Sequence, residues 1–305
     1  MKRIIYCSVF FLLGADIFAQ QDPQFSQYMF NPYTLNAAYF NQHLGVSFGV
    51  LNRFQWVGFE GAPKTQALTV YTSEKEGKLS YGLKLVNDKI GARSTINASV
   101  SCAYKLLINQ KHRLSFALRG GILNYNANAD DITYENSNDP HKVGALGSIT
   151  KPDADFALFY NSGRLYAGFS SNHLFAKGAT TSSTGHLNVS RHTFITSGYV
   201  FRLNETFSIL PSIMLKHVAN APASLDINAN LLVKEYLSFG VSARSENGLI
   251  FLFKIDLKNN LSIGYAFDSP LGNPIAQQQT AGSHEFYLGY NLISKKYKTI
   301  TPRYL

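Results

Sequence analysis

From about Gly45 onward, apolar residues recur at every second position rather than at helical spacing. Leu261, Ile263, Tyr265 and Phe267 alternate with Ser262, Gly264, Ala266 and Asp268. Phe207, Ile209, Ile213 and Leu215 alternate with Ser208, Ser212 and Lys216, and Leu79, Tyr81, Leu83 and Leu85 with Ser80, Gly82 and Lys84. The same holds for His284, Phe286, Leu288, Tyr290 and Leu292 against Glu285, Tyr287, Gly289 and Asn291. Successive strand residues point to opposite faces, so each segment has one oily face and one polar, Gly-rich face. Strand signals fall at 44–54, 64–73, 78–88, 93–108, 112–124, 153–161, 164–171, 187–202, 206–218, 223–234, 236–246, 247–257, 260–269 and 281–293, roughly fourteen in series. A soluble sandwich also alternates but seldom needs so many. An even number of ~10-residue strands suits a closed barrel in the outer membrane, because closure leaves no backbone group unpaired in lipid. The predicted fold is therefore all-β, a transmembrane antiparallel barrel of about 14 strands.

Composition supports this. Charged residues make up 15% of the chain, well below the ~25% of soluble domains, while Tyr and Phe number 18 and 22. With 45% hydrophobic residues the chain has ample surface to bury, which argues against disorder. A mean hydropathy of −0.08, with no apolar run of ~18 residues past the N-terminus, excludes a polytopic helical membrane protein.

Lys2 and Arg3 followed by an apolar stretch over 4–13 and a small residue at Ala19 read as a secretory signal, 1–19, cut before Gln20. Its removal takes Cys7 and leaves Cys102, so the mature fold needs no internal disulfide. The expected organisation is then a periplasmic or lumenal segment over 20–43, a barrel over 44–293 and a basic periplasmic tail over 294–305. From a periplasmic N-terminus, short and long connections should alternate. Asn109-Gln110-Lys111, Asn161-Ser162-Gly163, Leu203-Asn204-Glu205, Lys234-Glu235 and Lys258-Asn259 are tight, and 125–152, 172–186, 219–222 and 269–280 are longer. Ser245-Glu246-Asn247-Gly248 is the one exception read from the sequence.

Charge on a lipid face costs several kcal/mol near the midplane, so Lys84, Arg119, Lys216, Asp226, Arg244, Lys254, Asp256 and Glu285 are expected inside. Two readings of the lumen stand: a mildly cationic selective channel, or opposed charges that pair and close it. The net charge of +9 does not indicate a nucleic-acid partner, because export argues against one and Lys295-Lys296-Tyr297-Lys298 is the only dense basic tract. The eight His show no metal-ligand spacing; His186 and His192 are six apart, and His112 and His173 fall at strand ends or loops. There is no nucleophile elbow, no phosphate loop and no cofactor motif, so no enzyme is evident. Asp130-Asp131 with Asn136-Ser137-Asn138-Asp139 reads as solvated loop rather than a calcium site. Trp56 and Tyr71 fall near strand ends, where aromatic girdles meet the headgroups; for Trp56 the alternative is a recognition contact at the outer mouth. The tail is either a docking arm or a solvated end.

The run Gln21-Asp22-Pro23-Gln24-Phe25-Ser26-Gln27-Tyr28-Met29-Phe30-Asn31-Pro32 resembles the opening of the PorP/SprF family, outer-membrane proteins of the type IX secretion system of Bacteroidetes. Arg53-Phe54-Gln55-Trp56-Val57-Gly58-Phe59 with Ala62-Pro63-Lys64-Thr65 resembles a second family block. Leu210-Pro211-Ser212, Ala221-Pro222-Ala223-Ser224-Leu225-Asp226, Gly264-Tyr265-Ala266-Phe267-Asp268, Gly282-Ser283-His284-Glu285 and Thr301-Pro302-Arg303-Tyr304 follow in order. The chain departs from the pattern at Asn36-Ala37-Ala38-Tyr39-Phe40-Asn41, where the family has Asn-Pro-Ala-Tyr-Ala-Gly, and at Leu305 in place of an aromatic residue. The resemblance implies a non-enzymatic secretion component in the outer membrane with both termini periplasmic. Its partners would be outer-membrane lipid, other type IX components and a secreted client such as an adhesin held by its C-terminal sorting domain. The partner-binding candidates it implies are Asn31, Pro32, Arg53, Gln55, Trp56, Pro63, Thr65, Asp226, His284, Glu285, Pro302 and Arg303. The competing functions are a channel for small solutes and an integral membrane enzyme.

Overall fold

A computed structural model describes residues 22–39, 45–73, 78–109, 111–127, 148–175, 179–181, 185–187, 189–219, 221–234, 236–245, 248–270 and 280–293. Its elements are a single 3-10 turn η1 (Pro32–Thr34) and seventeen strands. These are β1 (Gly45–Phe54), β2 (Lys64–Ser73), β3 (Leu79–Ile90), β4 (Arg93–Leu107), β5 (Arg113–Ala127), β6 (Ser148–Asn161), β7 (Leu165–Asn172), β8 (Ala179–Thr181), β9 (Gly185–Leu187), β10 (His192–Tyr199), β11 (Phe201–Arg202), β12 (Phe207–Val218), β13 (Ser224–Val233), β14 (Leu237–Arg244), β15 (Gly248–Asp256), β16 (Leu261–Asp268) and β17 (Ser283–Ile293).

The strands from β1 to β7 and from β12 to β17 pair antiparallel with their neighbours in sequence, β1 closes on β17, and β7 and β12 both pair with β10. The sheet thus has no free edge. β8 and β9 form a small hairpin of their own within the β7–β10 connection, and β10 and β11 share one barrel position beside β12. The result is a closed barrel of fourteen strand positions, as the alternation predicts. The segment predicted as one strand over 187–202 is interrupted at Val200, and Pro211 accounts for the break. The Phe207 carbonyl accepts from Leu203 on the β11 side. Every second residue turns its polar groups to the same side, so Pro211 presents to β10 and β11 a nitrogen with no hydrogen to donate.

The oily faces are exposed, as Val100, Leu118, Ile195, Ile227, Phe251 and Leu288 are, while the intervening residues are buried. One barrel end carries the starts of β1, β3 and β5 and the end of β17. Asn side chains build tight turns there: Asn109 Oδ1 accepts the amides of Lys111 and His112, and Asn204 Oδ1 those of Thr206 and Phe207. The opposite end carries most of the longer connections. Two sequence expectations change there. β5 runs to Ala127 and β6 starts at Ser148, so both ends of the loop predicted over 125–152 are paired strand. The β3–β4 connection is the two-residue turn Gly91-Ala92, a second short link among the long ones.

Tyr71 also departs from expectation. It is buried inside the barrel and stacks on Tyr33 at 4.7 Å between ring centroids, so it belongs to no headgroup girdle. The signal segment 1–19, the acidic stretch 130–139 and the tail with Pro302 and Arg303 lie outside the described residues.

Candidate functional site

Lumen-facing charges are built as cross-strand pairs. Arg53 on β1 stands directly opposite Glu285 on β17, Arg119 on β5 opposite Asp155 on β6, and Asp226 on β13 opposite Arg244 on β14. The contacts are 3.1 Å for Arg53–Glu285 and for Arg119–Asp155, and 2.8 Å for Arg244–Asp226. Arg53 also reaches Asp268 on β16 at 2.5 Å, and Lys254 pairs with Asp256 at 3.0 Å. The predicted inward set is all inside, but among the described residues the inward charges are not predominantly basic. Buried Asp88, Asp153, Asp155 and Asp268 join Asp226, Asp256 and Glu285 against Arg53, Lys84, Arg119, Lys216, Arg244 and Lys254.

These charges hold the chain's own N-terminal segment, residues 22–39, inside the barrel. Glu285 accepts the Ser26 and Gln27 amides at 2.7 and 2.9 Å, and Gln27 Nε2 donates back to the Glu285 carbonyl at 2.9 Å. Arg53 and Asp268 clasp the Ser26 hydroxyl at 2.5 and 2.9 Å. Asn228 donates to the Tyr28 hydroxyl at 2.5 Å, and Asn31 to Thr69 at 2.9 Å. Arg119 donates to the Tyr33 carbonyl at 2.7 Å and lies 4.9 Å from the Tyr33 ring centre. Thr65, another matched residue, donates to Asp88 at 2.6 Å. Pro32 sits at the start of η1, where its fixed φ suits the turn and its missing N–H costs nothing.

Glycines in the wall make room for this segment. A Cβ on Gly82 would lie 2.1 Å from the Tyr33 hydroxyl, and one on Gly264 2.3 Å from Gln27 Oε1. A Cβ on Gly49 would lie 2.7 Å from Asn31 Nδ2 and from Thr69 Oγ1, and one on Gly168 2.6 Å from Thr196 Oγ1 and 3.0 Å from Asn36 Nδ2. Past η1, Ala37 and Ala38 pack on Ala103, Ala117, Ala157 and Phe159. The turn there forms without the family's Pro, because Asn36 Oδ1 accepts the Ala38 amide at 2.9 Å.

Asp22 lies at the long-loop end, between His173 and His192. His173 Nε2 is 2.7 Å from its carboxylate, and His192 Nε2 accepts its amide at 3.1 Å. Burial by itself would raise the Asp22 carboxyl, but the His173 and His192 rings hold it well below the usual carboxylate range. Burial lowers His173 in turn, and Asp22 with Asp153 outweigh that, holding its imidazolium well above the ordinary range. Asp22 and Ile293 thus lie at opposite barrel ends. A cavity of about 310 Å³ opens beside Asp22, and one of about 70 Å³ lies toward the other end, lined by Phe30, Ser47, Lys254 and Asn291.

Of the sequence candidates, Asn31, Arg53, Thr65, Asp226 and Glu285 are buried in the lumen and Pro32 is half-buried there. His284 faces outward and bonds the Tyr265 hydroxyl at 2.8 Å. Gln55, Trp56 and Pro63 belong to the 55–63 loop at the long-loop end, where the Gln55 amide donates to the Pro63 carbonyl at 3.0 Å. That loop is braced: the Val57 amide donates to Gly282 at 2.8 Å and the Gly91 amide to Gly61 at 2.9 Å. It presents Trp56, Val57 and Phe59 to the outside at 46%, 38% and 51% exposure. The glycine notches and the roles of Ser26, Gln27, Tyr33, His173 and His192 were missed in the sequence. The one available signal was the unalternating, aromatic-rich run at 22–36 ahead of the first strand.

A family model described as Type IX secretion system membrane protein PorP/SprF matches residues 17–290. Among solved structures the chain is similar to the CymD monoaromatic hydrocarbon channel, at 11% identity and a TM-score of 0.47, over 88% of this chain and 94% of that one. The Acinetobacter baumannii outer membrane protein Omp33 aligns at 10% identity and 0.42, over 82% and 98%. The Pseudomonas putida toluene transporter TodX aligns at 9% and 0.43, over 87% and 91%. No curated protein matches the chain.

Proposed function

The chain belongs to the PorP/SprF family of type IX secretion system membrane proteins, and from that footing we propose that it acts as a closed, non-enzymatic scaffold of the machine in the outer membrane. In this role it supports export or surface attachment of secreted proteins, such as adhesins carrying a C-terminal sorting domain. One observation carries the proposal: the lumen is occupied by residues 22–39, held by paired charges and wall glycines cut to their side chains. A barrel so filled offers partners its rim rather than a bore. The long-loop end is taken as the outer face, with β17 ending at the periplasm. Capture is then non-covalent, by the outer loops and the braced 55–63 platform, where aromatic side chains supply contact area at little conformational cost. The basic tail 294–305 is assigned to the periplasmic machinery. The buried matched residues hold the lumenal segment in place rather than touch a client.

The test is an inventory of surface and secreted proteins by mass spectrometry after deletion of the gene. Loss of one large adhesin supports a dedicated client partner, and loss of the whole cargo set supports a shared component. An unchanged inventory overturns the proposal and leaves the small-solute channel as the better account.

A further inference from the structure

Three residues far apart in sequence, Asp22, His173 and His192, place one ligand atom each within 4.8 Å of one another, one from the lumenal segment and two from the barrel wall. The orientation of both rings is the telling feature. His192 donates from Nδ1 to the Ser190 carbonyl at 2.9 Å, and its Nε2 accepts the Asp22 backbone amide at 3.1 Å. His173 has Nδ1 at 2.9 Å from the Asp153 carboxylate and Nε2 at 2.7 and 2.8 Å from the two Asp22 oxygens. A histidine ligand characteristically has its second nitrogen anchored on a carboxylate or a carbonyl; Ser190 does this for His192, and Asp153 lies 2.9 Å from the second nitrogen of His173. The backbone at His173 adopts φ +58, uncommon outside glycine, and is pinned there by its amide donating to Asp155 at 3.0 Å. That conformation turns the ring inward.

We propose that Asp22, His173 and His192 bind one divalent transition-metal ion of the zinc class, which fastens the leading end of the lumenal segment to the barrel wall. Two imidazoles and a carboxylate match the N/O donor preference of such ions, whereas calcium or magnesium would require more oxygens. With bonds of ~2.0–2.1 Å, tetrahedral donors stand roughly 3.3 Å apart, so the donors close in from within 4.8 Å and the Asp22 amide releases His192 Nε2 as the ion enters. The ion replaces the proton held between His173 Nε2 and Asp22, and a fourth position faces the 310 Å³ cavity. The inference is independent of which client the barrel serves.

The untagged full-length protein, stripped with EDTA in detergent, is titrated with Zn²⁺ by calorimetry, with Co²⁺ absorption read in parallel. The expected result is one ion per chain, and a tetrahedral Co²⁺ spectrum. His173→Gln and His192→Gln should each weaken binding by about 100-fold or more, and Asp153→Asn by about 10- to 100-fold. His217→Gln, on the exposed face of β12, should leave it unchanged. Heat-modifiable gel migration confirms that each variant is a folded barrel, and the wild-type Co²⁺ spectrum decides if one is not. Absent uptake, equal binding by Mg²⁺, unaltered affinity in both histidine variants or an octahedral Co²⁺ spectrum would each overturn the assignment.

Discussion

Arg53 is almost wholly buried, and its guanidinium reaches Asp268, Glu285 and the Ser26 hydroxyl at once. Removing one partner of a buried ion pair strands the others, at about 3–5 kcal/mol. Arg53→Ala should therefore lose about that much stability in urea unfolding of the refolded barrel, and free the 22–39 segment to protease. Arg53→Lys keeps the charge but not the fork, so it should recover only part of the loss. The two glycine notches give a second, graded prediction. The Tyr33 ring is fixed by its stack on Tyr71 and by the 2.7 Å contact of its hydroxyl with Ser101, so a methyl at Gly82 expels it. Gln27 can swing its amide away from a methyl at Gly264 and loses mainly the bond to the Glu285 carbonyl. Gly82→Ala should expose the segment to limited proteolysis far more than Gly264→Ala. Asp226 and Glu285 could be singled out from sequence by their inward strand positions, and Arg53 by the block it shares with the family. Their partners could not, since Asp268 and Ser26 reach Arg53 through strand register and chain reversal.

At the scale of strands, alternation located every barrel segment because the two environments, lipid and lumen, impose opposite demands on neighbouring residues. What alternation does not encode is where pairing stops. β5 and β6 continue as far as Ala127 and Ser148 through Tyr125, Thr150 and Pro152, residues that read as loop; their ladder is closed by the Asn124 amide donating to Ser148 and Thr150 at 2.9 and 2.8 Å. The break at Val200 likewise needs the side to which Pro211 turns its nitrogen, which spacing along one strand does not give. The exact ladder ends make the loop experiment sharper. Replacing 128–147 with a short Gly-Ser turn should leave the barrel folded, with heat-modifiable migration and urea midpoint unchanged, whereas cutting the whole of 125–152 would remove paired strand. If the outer loops hold a client, the shorter excision should still abolish its co-purification from membranes. A client retained at wild-type level would move the contact to the 55–63 platform, where Trp56→Ala with Phe59→Ala is the next variant.

For the molecule as a whole, the sequence left two lumens open, a conducting one and a paired, closed one, because a strand pattern says which residues face inward but not what meets them there. The deciding element lies outside the strands, in a stretch with no periodicity of its own, and its fit depends on contacts 200 or more residues away, such as Ser26 to Glu285 and Tyr28 to Asn228. Closure by a segment rather than by the wall itself has a measurable consequence. The intact protein in planar bilayers should be silent. Deleting 22–39 takes away the groups that satisfy Glu285, Asn228 and Thr69, but it does so by admitting water, which rehydrates them instead of stranding them. The barrel ladder, closed from β1 to β17, does not involve the deleted residues, so the variant should refold and insert. It should then show discrete conductance steps. Because inward acids and bases are nearly matched, its reversal potential in a salt gradient should stay close to zero, not displaced as a cationic lumen would require. A wild-type protein that conducts as readily as the deletion would mean that the segment leaves the lumen in the membrane, and the closed-scaffold assignment would fail with it.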